Sequence, residues 1–77
     1  MTYFVLAYHR GRGEVIARHD YSVAERDQAW ILRDQLALQF ARDRDVEVVL
    51  LGAESEAELR RTHGRYFERV APTLHAE

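Results

Sequence analysis

The chain reads as a single α+β domain in the order strand–strand–helix–strand–helix, and three observations predict it. Two runs rich in β-branched and aromatic residues flank a glycine turn near the N-terminus. Two Ser-x-x-Glu signatures, Ser22–Glu25 and Ser55–Glu58, each open a stretch with helical apolar spacing. A third alternating run, Val46 to Leu51, lies between those stretches.

Thr2 to Arg10 supplies the first strand and Glu14 to Tyr21 the second. A two-residue loop at Gly11-Arg12 suits a type II′ turn, which needs positive φ at its first central residue. Arg10 then faces Gly13, and Phe4, Leu6 and Tyr8 share a face with Val15, Ala17 and His19. The opposite face carries Tyr3, Val5, Ala7 and His9 beside Glu14, Ile16, Arg18 and Asp20.

Ser22 and Glu25 predict a helix from Val23 to about Arg42. Ala29, Leu32, Leu36 and Phe40 form its core stripe, and Trp30, Ala37 and Ala41 a flanking strip. Ile31 and Leu38 point nearly the opposite way. Arg42 to Asp45 is a charged connection, and Gly52 ends the third strand. The second helix should run from Ser55 to about Val70, with Leu59, His63, Tyr66, Phe67 and Val70 on one face. Pro72 stops it, so a single domain over 1–71 is followed by a frayed tail, 72–77.

A helical crossover between the second and third strands makes them parallel, and skipping the first gives a mixed three-stranded sheet of order 2-1-3. Both helices are then expected on one face. That leaves Tyr3, Val5, Ala7, Ile16, Val49 and Leu51 on an open face, and an uncovered apolar face on a small domain implies a partner.

Composition narrows the functional classes. The 77 residues bury only ~60% of the surface their unfolded chain exposes, so intrinsic stability is slim. With 47% hydrophobic residues the chain is too apolar for disorder, and a net charge of −2 offers no bulk field for nucleic acid or anionic lipid. The absence of cysteine excludes disulfides, thiolate catalysis and cysteine-based zinc sites. No basic leader and no run long enough for a bilayer are present, which makes a cytoplasmic setting the expectation. All eleven basic residues other than histidine are arginine and asparagine is absent, as a GC-rich genome would produce.

No catalytic set, cofactor motif or metal-ligand spacing emerges. His9 and His19 fall on opposite sides of the sheet in the expected register. His63 stands mid-face between aromatics, where it serves either as a core histidine or as a general base in a pocket. Arg10 and Arg12 at the hairpin, and Arg61, Arg65 and Arg69 along the last helix, offer a route to nucleic acid; Glu58 and Glu68 can pair with the latter set. Gly52 to Glu56 resembles a phosphate loop only in position, because Glu54, Glu56 and Glu58 repel anions.

The segment VVLLGAESEAELRRTHGRYF, residues 48–67, resembles the C-terminal half of small actinobacterial α+β proteins. Those close on a helix of the form S-E-x-x-L-R-R-T-H-x-R-Y-F, here Ser55 to Phe67. The resemblance implies a source and no activity. The leading expectation is a non-enzymatic protein-interaction module, a homodimer or a docking subunit, using Tyr3, Val5, Ile16, Val49, Leu51, Trp30, Ile31 and Leu38. A nucleic-acid accessory role for the arginines and a ligand or enzymatic role for His63 are the alternatives.

Overall fold

The computed structural model describes residues 1–67. Its elements are β1 (Thr2–His9), β2 (Glu14–Ser22), a 3-10 turn (Val23–Glu25), α1 (Arg26–Gln39), β3 (Val46–Ala53), α2 (Glu56–Thr62) and a second 3-10 turn (Gly64–Phe67). The expected helix extension to Val70, Arg69 and the tail from Pro72 lie outside the described residues.

The sheet order is β2-β1-β3, as the sequence predicts. Both ladders are antiparallel, so "mixed" does not describe it: β2 and β3 run parallel but never touch, because β1 lies between them.

The hairpin turn is wider than expected. It spans Arg10 to Gly13, and the positive φ of 66° sits at Gly13, not Gly11. The Gly13 N–H donates to the His9 carbonyl at 2.8 Å, and the Arg12 N–H donates to His9 Nδ1 at 3.1 Å. Next to the turn the register is the predicted one, with His9 opposite Glu14 and Tyr8 opposite Val15.

A β-bulge then intervenes. Ala7 pairs with Ala17, so Ile16 has no partner and every later residue of β2 changes side. Arg18 and Asp20 therefore stand opposite Leu6 and Phe4, where Ala17 and His19 were expected. His19 moves to the side of Val5 and His9.

The two helices cover opposite faces, which corrects the expectation of both on one. Phe4, Leu6, Tyr8 and Ala53 form a core with Leu59, Tyr66 and Phe67, with Val15, Val49 and Leu51 packed against it. On the other face Val5 packs with Ala29 and Leu36, surrounded by Tyr3, Tyr21, Leu32, Phe40, Val48 and Leu50. The cause lies in β1: Phe4 to Tyr8 are all buried, and a strand apolar on both sides needs a cover on both. The pairing of Leu6 with Val49 and Phe4 with Leu51 also places those two β3 residues away from Tyr3 and Val5.

Local signals account for the helix ends. The Glu25 carboxylate accepts from the Ser22 N–H at 2.9 Å, although the first turn is 3-10 and α1 proper begins at Arg26. Ser55 Oγ accepts from the Glu58 N–H at 3.2 Å, and Glu58 accepts from the Glu54 N–H at 2.8 Å. α2 stops at Thr62, well short of the predicted end. Gly64 is a poor helix former, and Thr62 Oγ1 donates back to the Glu58 carbonyl at 3.0 Å. The tighter 3-10 turn that follows carries Tyr66 and Phe67 into the core.

Candidate interaction surface

On the α2 side the charged residues are mostly engaged with one another. Arg18 reaches both Asp20 (2.9 Å) and Glu56 (2.7 Å) and lies 5.4 Å over the Phe4 ring. Arg60 pairs with Glu56 at 2.9 Å and stacks on Phe67 at 4.8 Å. Hydrogen bonds from Arg18 and then Arg60 hold the Glu56 carboxyl below the usual range, while Asp20 and Glu56 bind the Arg18 proton more tightly. These guanidinium planes roof the aromatic core while their charges stay in water.

Glu47 gathers a second cluster. Its carboxylate accepts from Arg65 at 2.9 Å and from the Tyr66 hydroxyl at 3.0 Å, with Arg10 at 3.9 Å. Tyr66 meets Tyr8 edge-on, ring centres 5.0 Å apart. Burial, then the bond to Glu47, pushes the Tyr66 phenol above its ordinary value. The unfolded chain releases that proton at about pH 10 while the folded protein still holds it. The stabilisation is complete below pH 10 and is lost as pH rises through the folded value. The melting temperature of the wild type should therefore fall more steeply above pH 10 than that of Tyr66→Phe; parallel profiles would contradict this.

The arginines considered for nucleic acid are partnered here. Arg12 pairs with Glu14 (3.0 Å), Arg65 with Glu47 and Arg61 with Glu58 (3.9 Å), and Arg10 donates to the Arg44 carbonyl. His63 is half-buried at the end of α2, its N–H bonded to the Leu59 carbonyl at 2.8 Å. It does not sit mid-helix, because the helix ends before it.

Donor atoms of His9, Asp43 and Asp45 lie within 4.8 Å of one another. The sequence hides this set because it joins the hairpin turn to the α1–β3 connection. Asp43 Oδ1 already accepts from the Asp45 N–H at 3.0 Å, and His9 Nδ1 from the Arg12 N–H. Using Nδ1 as acceptor leaves the neutral ring's proton on Nε2, so a cation would have to displace one or the other. The Arg10 N–H donates to the Asp45 carbonyl at 2.7 Å, and the cluster acts as a clasp between two loops. His19 lies on the same side as His9 but four positions along β1, ~13 Å away, so the two cannot share an ion.

The surface left over is on the α1 side. Val5 is fully buried, Tyr3 is half-buried against α1, and Val49 and Leu51 are half-buried against the α2 core. Ile16 is 37% exposed at the bulge. Trp30, Ile31 and Leu38 are 43%, 58% and 79% exposed. Ile31 and Leu38, two helical turns apart, form an outward ridge, while Trp30 shares a flank with Ala37 and Ala41. That flank overlooks the β3 edge: a cavity of ≈ 370 Å³ is lined by Arg33, Ala37, Phe40 and Ala41 of the helix side and Val46 and Val48 of the strand, with Arg10, Asp43 and Arg44 at the rim. Among the described residues β3 pairs with β1 alone, so its other edge presents backbone donors and acceptors beside this apolar trough.

No helix among the described residues is long and apolar enough to cross a membrane. No protein-family model, curated protein or solved structure matches the chain.

Proposed function

We propose that this chain is a non-enzymatic interaction module that associates with protein through the outer side of α1 and the adjoining β3 edge. The observation that carries the reading is the 79% exposure of Leu38, with Ile31 and Trp30 also exposed, on a domain whose helices already cover both sheet faces. Large apolar side chains grouped on one element are the usual mark of an association surface. A cytoplasmic setting belongs to the same proposal.

The surface differs from the one expected of the sequence. The open sheet face is replaced by the helix exterior, and of the eight residues first considered Trp30, Ile31 and Leu38 carry the reading.

A photo-crosslinking residue at Leu38 or Trp30, introduced in the native host, tests it against one at Arg61 on the far side. The expected result is one adduct of defined mass from the α1 positions, suppressed by excess unlabelled chain and absent from Arg61. No adduct from α1, or the same adducts from all three positions, would overturn the reading.

A further inference from the structure

We infer that the Trp30 flank of α1 and the β3 edge beside it are covered by a second copy of the chain, joined edge to edge through β3 into a six-stranded antiparallel sheet. The inference rests on the association reading above and names its partner.

The two outer strands of the sheet differ in kind. β2 carries a bulge and the charged run Arg18, His19, Asp20, devices that stop a strand from pairing further. β3 is regular over all eight residues of its ladder with β1, has no proline, and bears Val46, Val48, Val49, Leu50 and Leu51. One edge is guarded and the other is a template.

A two-fold axis perpendicular to the sheet pairs β3 with the second copy's β3 and sets the two α1 helices antiparallel on the same face. Ala37 and Ala41 are small enough to let the helices approach. With the axis beside the middle of α1, Trp30 faces the second copy's Ala37, and the Arg33–Asp34 ion pair of each chain (3.1 Å) meets its counterpart with Arg33 opposite the second copy's Asp34. Large meets small and positive meets negative, which a self-complementary surface requires.

The area suffices. β3 spans about 26 Å and α1 about 21 Å, and a strand layer plus a helix layer is about 20 Å deep. The contact removes about 1,000 Å² in total from solvent, the size at which a specific interface becomes tenable. The assembly also closes: its two outermost strands are both β2, so the guarded edges face out and no fibre grows.

The chain contains no cysteine, which makes disulfide trapping clean. Single cysteines at Val46, Val48, Val49 and Leu50 should yield an oxidised dimer at one or two positions, since directly opposed residues of antiparallel strands bring their Cβ atoms about 5 Å apart. Arg61→Cys should not. Light scattering at about 100 μM should give twice the 9.0 kDa of the chain, and Ala37→Arg/Ala41→Arg should raise the dissociation constant roughly tenfold or more without changing the circular dichroism. A dimer with no disulfide at any β3 position, or one indifferent to the paired arginines, overturns the inference. A 9.0 kDa particle overturns it too. If the Leu38 probe then marks a different protein specifically, the association reading survives; if it marks nothing, both fall.

Discussion

Leu59→Ala is expected to lower the unfolding free energy by about 2–5 kcal/mol, measured by urea denaturation followed by circular dichroism. Leu59 is fully buried, and it is the one buried side chain of the seven-residue α2. It sits among Phe4, Leu6, Tyr8, Tyr66 and Phe67, so truncating it opens a void where helix meets sheet. A chain of this length has only about 4–11 kcal/mol to lose, and the variant should be close to unfolding at room temperature. Leu38→Ala supplies the contrast. With 79% exposure it should change stability by no more than about 0.5 kcal/mol, leaving its effect on association readable. A loss below about 1 kcal/mol for Leu59→Ala would mean that α2 is not held by this core.

Deleting Ile16 and Ala17 together should be more damaging than any single substitution. With two residues gone, Arg18 follows Val15, and β2 past that point must either lose its pairing with β1 or place Arg18 opposite Ala7 and Asp20 opposite Val5. In the second case Arg18 and Asp20 enter the face where Tyr21 now packs, and the Arg18–Glu56 pair is lost. Burying these charges without partners costs several kcal/mol, a large fraction of the available stability. The expected outcome is no cooperative unfolding transition. Deleting Ile16 alone removes only the unpaired residue and keeps Ala17 opposite Ala7 and Arg18 opposite Leu6, so that variant should fold. A double deletion that melts like the wild type would contradict this facing of β2.

The elements were legible because each rests on local chemistry. The strand runs, both Ser-x-x-Glu starts and the stripe Ala29, Leu32, Leu36, Phe40 are set by nearest-neighbour periodicity, and all appear. The bulge was not legible: Ile16 is as good a strand residue as its neighbours, and nothing in its type marks it as unpaired. The facing of Val49 and Leu51 depended on the β1–β3 register, which joins residues more than forty positions apart. The placement of the helices had a visible signal. Phe4 to Tyr8 is a continuous apolar run without alternation, the pattern of a strand covered on both sides. For the site, the exposed Trp30, Ile31 and Leu38 followed from the helical angle alone. The trough beside them did not, because Arg33, Val46 and Val48 meet only through the chain's return to the sheet.

The doubly covered central strand also bears on biosynthesis. Translation proceeds from the N-terminus, so β1 leaves the ribosome well before the residues that must flank it, and Thr2 waits for Ala53 before its ladder is complete. Until then Phe4 to Tyr8 is a greasy ribbon with both backbone edges unsatisfied save for the hairpin mate. A chain in that interval exposes apolar surface to aggregation, and overexpression should favour inclusion bodies whenever synthesis outruns the arrival of β3.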